Sequence, residues 1–272
     1  MLNRKEMKMK KYKILGFIAL IICIFNITGC NMTDDKEDNK DNNILETNKD
    51  EKEAYKIVFN DFVGFVKLRV NNGVITYIRL DEAFMPDVWA KETKKDSLTD
   101  VVMKDEENKL LEGDFGFAKY IKIGDKLFTG VAYTDEEIEK NPSKKQKVKY
   151  SSGKIGDLYT YLTKEENAKW YVECLQKGEA YVCDKDGKKL ETASLNSYRS
   201  FFKSSSLYWT TGDSGWSKNM QYLCNAVIGT NVSKEITMED GYVKIGDIVT
   251  SATLVGYKDY YSLIQEAYKK TK

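Results

Sequence analysis

The chain has 272 residues, with 43 lysines and arginines against 42 aspartates and glutamates, a formal net charge of +1 and 42% hydrophobic residues. Such a balance lacks the basic surplus of a nucleic-acid-binding surface. There is no histidine, which removes Ser-His-Asp and Cys-His catalysis and every zinc site built on imidazole.

The chain opens with MLNRKEMKMKKYK, which carries six basic residues and one acid, and ILGFIALIICIF follows. That apolar run is too short to span a bilayer comfortably. Ile27-Thr28-Gly29-Cys30 comes next. A basic stub, a short apolar core and small residues ending in Cys resemble the signal of a bacterial lipoprotein. The resemblance implies that residues 1–29 are removed and that Cys30 takes a diacylglycerol and becomes the mature N-terminus. The protein would then sit on the extracytoplasmic face of the cell membrane, held by acyl chains, where two chains hold lastingly and one only marginally. The alternative is an ordinary secretory signal or an uncleaved anchor, with Cys30 a bystander.

Residues 31–54 carry nine acids and four lysines and almost nothing to bury. Residues 30–54 thus read as a lipidated Cys and a disordered acidic tether, with a reach of roughly 80 Å when fully extended. The stretch 55–272 is ample for a sizeable core. It holds Cys174, Cys183 and Cys224. An odd count means one disulfide plus a free thiol, or three buried thiols; Cys174 and Cys183 would bridge only on neighbouring elements.

In chain order, GFVKLRVNNGVITYIRLDEA predicts a hairpin turning at Asn72-Gly73. Simple pairing puts Val66, Leu68, Val70, Ile75 and Tyr77 on one face and Lys67, Arg69 and Asn71 on the other, a sheet packed on one side only. Further strands are expected within 117–133, in a hairpin over Asp186-Gly187, and at GYVKIGDIVTSA. A helix capped by Thr163 should bury Ala168, Tyr171, Val172 and Leu175 and end at Gly178. Another, capped by Ser217, should bury Met220, Leu223, Cys224, Val227 and Ile228. The last, about 256–270, should bury Tyr257, Tyr260, Tyr261, Ile264, Ala267 and Tyr268. Trp89 and Trp170 read as core. The mixture points to an α+β fold, antiparallel sheet with packed helices. KIGD occurs at 122–125, 154–157 and 244–247, and reads as three strand-to-turn exits rather than a triplication.

Near the C-terminus, Thr250, Ser251 and Thr253 surround Ala252, with Asp247 just upstream. A strand ends before them and a helix starts after them, so one hydroxyl is expected to cap the helix and one to line the turn. Unpaired amides at a helix start favour phosphate or carboxylate, and small residues let a ligand approach. The order Asp247, Thr250, Ser251, Ala252, Thr253 resembles the attachment motif of FMN-binding domains, found in a subunit of the sodium-pumping quinone reductase and in extracellular flavoprotein lipoproteins. Ile248 replaces the Gly usual there, and Ser251 stands where Gly is commoner. The early hairpin is similar to the opening hairpin of those domains, and between the two matches lies a long central insertion. The resemblance implies an FMN-binding-domain-like fold and FMN joined by a magnesium-dependent flavin transferase as a phosphoester to Thr253. It also implies electron exchange with membrane redox proteins or soluble acceptors rather than an enzyme with its own substrate.

A second feature is RSFFKSSSLYWTTGDSGWSKN, where Tyr208, Trp209 and Trp216 lie in a polar stretch. Such rings stack on a flavin, a sugar or a peptide, or anchor the loop to the core. They support the alternative function, a lipid-anchored surface module binding glycan, peptide or protein without a cofactor. A hydrolase needs paired carboxylates, and no pair stands out.

Overall fold

Asn72 and Gly73 take φ angles of 49° and 78°, the left-handed values that a two-residue hairpin turn of this kind requires. They are seen in a computed structural model that describes residues 50–93, 102–103, 115–142, 148–190, 200–206, 208, 215–250, 252–253 and 256–272. The turn joins β2 (Phe62–Asn71) to β3 (Val74–Phe84), and β1 (Lys52–Val58) pairs with the other edge of β2, all antiparallel. β1 starts three residues inside the expected tether. Ala54 is fully buried, and Glu53 holds the Lys67 ammonium at 2.6 Å and that of Lys169 at 2.8 Å. Lys52, Glu53 and Ala54, assigned to the tether, therefore belong to the first strand. The signal segment, Cys30 and the rest of the tether lie outside the described residues.

The faces of the hairpin depart from simple pairing beyond its first rungs. Val70 faces Ile75, but Arg69 faces Tyr77, because Thr76 is an extra residue on β3. Tyr77 accordingly turns to the side of Arg69, whose guanidinium lies 4.5 Å from its ring centre. Ile78 and Leu80 take the inward positions instead. Nor is the sheet packed on one side only. Val66, Leu68 and Ile75 face one apolar core, while Tyr55, Val63, Phe65 and Phe84 face a second. The tip, Asn71 to Gly73, and the extra residue Thr76 stand in solvent.

After β3 come a one-turn helix α1 (Pro86–Trp89), β4 (Lys91–Thr93), β5 (Val102–Met103) and β6 (Phe115–Ala118), the last pairing with the two strands before it. A five-stranded antiparallel sheet closes the second core. It is built from β7 (Tyr120–Ile123), β8 (Lys126–Ala132), β9 (Val148–Ser152), β10 (Gly156–Asp157) and β11 (Ala180–Val182) in the order β10-β9-β8-β7-β11. A short helix α2 (Asp135–Lys140) leaves β8, and α3 (Leu158–Leu162) follows β10.

Three longer helices carry the predicted stripes. In α4 (Glu165–Gln176), Ala168, Tyr171, Val172 and Leu175 are buried, and Gly178 ends the turn with φ of 71°. Its cap is Lys164, without a side-chain bond. Thr163 instead closes α3, donating to the Thr160 carbonyl at 2.7 Å. α5 (Trp216–Val227) starts after Gly215 rather than at Ser217, so its first turn carries Trp216. Met220, Leu223, Cys224 and Val227 are buried, and Ile228 lies past the end, exposed. α6 (Tyr257–Lys269) buries Tyr260, Tyr261, Ile264, Ala267 and Tyr268, with Tyr257 at its margin. β12 (Ile236–Glu239), β13 (Tyr242–Ile245) and β14 (Ile248–Val249) form a small antiparallel sheet over the first core. The architecture is α+β.

Two of the three KIGD copies are the same object. Each turns a hairpin at its Gly, φ 57° at Gly124 and 59° at Gly246, and sets Ile123 opposite Lys126 and Ile245 opposite Ile248. In the third, Asp157 caps α3, accepting from the Thr160 amide at 2.8 Å. Cys174, Cys183 and Cys224 are buried and none is in a disulfide, which settles the open choice in favour of no bridge. No helix among the described residues is long and apolar enough to cross a membrane.

Candidate functional site

The loop after β14 is fastened to β13 rather than left to itself. The Thr250 amide donates to the Val243 carbonyl at 2.7 Å, and the Val243 amide donates to the Ala252 carbonyl at 2.7 Å. Thr250 is nearly sealed, and its Oγ1 accepts from the Ala252 amide at 3.0 Å, a hydroxyl turn that fixes the next two residues. The methyl of Ala252 is fully buried in the core. A longer side chain there would overpack it at a cost of about 1–3 kcal/mol. Thr253, the next residue, is exposed. Thr250 therefore lines the turn as expected. Among the described residues no hydroxyl caps α6, whose cap is Gly256 without a side-chain bond. Asp247 is exposed in the β13–β14 turn, and Ser251 lies outside the described residues.

Asn219 on α5 holds Thr253 from below. Its side chain is fully buried. Nδ2 donates to the Gly215 carbonyl at 3.1 Å, and Oδ1 accepts from the Thr253 amide at 2.6 Å, with Thr253 Oγ1 also 3.3 Å away. One turn earlier on the same helix, Trp216 directs Nε1 to the Tyr260 hydroxyl at 3.4 Å. The Phe59 ring meets that of Tyr260 edge-on, 5.4 Å between centres, and covers Gly256 so closely that a Cβ there would lie 1.7 Å from Phe59 Cζ. Phe59 sits at φ 52° and remains 38% exposed. A bulky residue with positive φ is unusual, and here the ring contacts with Gly256 and Tyr260 hold it.

The aromatic stretch and the hydroxyl loop thus converge, but not as a stacking platform. Trp216 is 2% exposed, so its indole face is closed to any ligand, which corrects its assignment as a ligand contact. Tyr208 is half-buried, packed edge-on against Phe62 and Phe84, and Trp209 lies outside the described residues. At the centre of these rings lies Lys203, its ammonium 3.5 Å from the centre of Phe62, 4.5 Å from Tyr208 and 5.7 Å from Trp216. It pairs with the buried carboxylate of Glu82. Burial pushes the Glu82 carboxyl up and the Lys203 ammonium down, and each is opposed by the charge of the other. Asp81, next door, accepts from the Ser204 amide at 3.1 Å and from its hydroxyl. The described residues of this aromatic stretch are therefore mainly an anchor.

Sequence reasoning missed Asn219, Phe59, Lys203 and Glu82. The two adjacent acids inside an apolar strand, RLDEAFM, were the available signal for Glu82. Nothing local marks Asn219.

A flavin phosphoester at Thr253 is compatible with these residues. Thr253 is an exposed residue, its neighbours are fastened, and Ile248 and Val249 on the adjoining strand leave about half their surface open, 45% and 46%. Among the described residues a cleft of about 50 Å³ lies elsewhere, between Asn60, Asp87, Tyr133, Asp157 and Tyr159. It is too small for a tricyclic ring, since ligand pockets run to hundreds of Å³. Comparison of the chain with protein-family models, with curated proteins and with solved structures finds no match.

Proposed function

We propose that this chain is a membrane-anchored extracytoplasmic flavoprotein that carries FMN on Thr253 and exchanges electrons with membrane redox proteins and soluble acceptors. The observation that supports it most is the contrast within the loop: Thr250 and Ala252 are buried, whereas Thr253 is an exposed residue. A merely structural strand-to-helix turn needs no such presentation, and this helix does not use the hydroxyl as a cap. When bound, FMN supplies one- and two-electron redox steps. The chain contributes a fixed attachment point and a nearby apolar edge, and covalent attachment prevents loss of the cofactor outside the cell. The rival reading, an anchored binding module, loses Trp216 as a contact.

The test is the intact mass of the full chain produced together with a flavin transferase. A gain of one FMN less water, absent from Thr253→Val, supports the reading. Unmodified wild-type protein under conditions that label a control acceptor removes it.

A further inference from the structure

We infer that Asn219 is a positioning residue for attachment at Thr253, an inference that rests on the flavoprotein reading. Its Oδ1 is the acceptor for the Thr253 amide at 2.6 Å and stands 3.3 Å from Oγ1. One atom thereby fixes the backbone and biases the rotamer and the hydroxyl proton of the same residue. The hydroxyl is thereby held in one rotamer for the approach of a phosphorus atom.

Three features separate this from ordinary loop packing. Asn219 is fully buried, so its carboxamide is in place before any ligand arrives. Its other end is tied to the Gly215 carbonyl at 3.1 Å, which sets Oδ1, not Nδ2, toward Thr253. Its neutrality matters as well. An aspartate of the same shape would place a negative charge beside an incoming phosphate, whereas an amide oxygen accepts the bond without a full charge.

The reaction needs a phosphoanhydride donor, because joining free FMN to an alcohol in water is uphill. With a flavin dinucleotide, the Thr253 Oγ1–phosphorus bond forms and the anhydride P–O bond breaks. The nucleoside monophosphate leaves with its electron pair, and the hydroxyl proton, which an amide oxygen cannot take, turns from Asn219 Oδ1 and passes to solvent or to a base on the transferase. No oxidation or reduction occurs. Asn219 touches neither the donor nor the phosphorus; it limits the orientations of the nucleophile, a contribution that acts on the chemical step more than on docking.

The experiment compares full-length wild type, Asn219→Leu and Asn219→Ser with purified flavin transferase, magnesium and flavin adenine dinucleotide. It follows covalent flavin by protein mass and measures kcat and KM for the chain as acceptor. Hydrogen exchange of the segment containing Thr253, in the absence of transferase, is the second readout. Expected are a tenfold or greater fall in kcat with KM within twofold of wild type, and faster exchange at Thr253 in both variants while α5 stays protected. The serine variant serves if leucine prevents folding. Wild-type kcat in a folded variant overturns the inference, as does a rise in KM alone, which would make Asn219 part of a docking surface. Failure of wild type itself to take flavin condemns the underlying reading instead, and the exchange result then still reports whether Asn219 fixes the loop.

Discussion

Glu82 and Lys203 meet as a salt bridge in which the carboxylate side chain has no exposure and the ammonium side chain 4%. Among the described residues neither carboxylate oxygen has an aligned hydrogen bond. The lysine and the rings around it, with the Tyr260 hydroxyl beside the carboxylate, are what keep that charge in the interior. Removing one partner of a buried pair leaves an uncompensated charge, at a cost of about 3–5 kcal/mol, whereas replacing both by apolar or neutral groups is often close to neutral. Lys203→Met should lower stability by that amount in urea titrations, and Glu82→Gln/Lys203→Met should recover most of it. Equal losses in the single and the double variant would show that packing of the lysine stem, not charge, is what matters.

A second prediction concerns Gly256 and Phe59. Alanine at 256 would place its methyl 1.7 Å from Phe59 Cζ, and the ring moves aside only by giving up its contact with Tyr260. Gly256→Ala should cost about 1–3 kcal/mol, as other overpacking substitutions do. In Phe59→Ala the same change should cost close to nothing. A double-mutant cycle read by thermal unfolding measures the coupling; additive losses would mean the ring does not rest on the helix start.

Which parts of this were legible in the sequence follows from the range of the interactions. The helix stripes depend on residues three and four apart, so Ala168, Tyr171, Val172 and Leu175 were readable, as was the Asn72-Gly73 turn. The faces of β3 were not, because one extra residue, Thr76, reverses the alternation and the sequence carries no mark of it. Nor were the caps. The two expected caps, Thr163 and Ser217, were outcompeted by Lys164 and Gly215 as helix starts, while the reciprocal pair of Thr134 and Glu137 went unread. At the candidate site, the exposed Thr253 and sealed Ala252 lie in one short segment and could be singled out together. Asn219 stands 34 residues away, and only packing of α5 under the loop brings it there. Trp216 was misread for the same reason: its polar, Gly-rich neighbours suggested an open loop, whereas the helix begins at Trp216 itself and turns the indole inward.

The thiols give a third prediction. Burial pushes Cys174 and Cys183 up to about 11, and the thiolate is the reactive form. With native protein and no reductant, iodoacetamide should leave Cys174, Cys183 and Cys224 unmodified, and in urea it should label all three. Peptide mapping reads both states. A site protected in urea until reductant is added would reveal a disulfide and contradict the structure.

Acid sensitivity should centre on Glu53. Burial raises its carboxyl, but hydrogen bonds from Lys169 and Lys67 and the charge of Lys67 outweigh that and hold it at about 2, against 4.5 for a free glutamate. A carboxyl depressed by folding stabilises the native state above its unfolded value, and that contribution is lost as pH falls from about 4.5 toward 2. Both lysines are partly open to solvent, so screening keeps the expected loss to about 1 kcal/mol. Urea midpoints of wild type and Glu53→Gln should converge across this interval, with the variant weaker at pH 7 and nearly matched at the acid end. Glu137 is also held at about 2, by Lys149 and the Thr134 amide, but it is present in both proteins and drops out of the difference. A gap that persists unchanged to the acid end would mean that Glu53 acts through its shape and hydrogen bonds alone, and that β1 is held to α4 without the help of its charge.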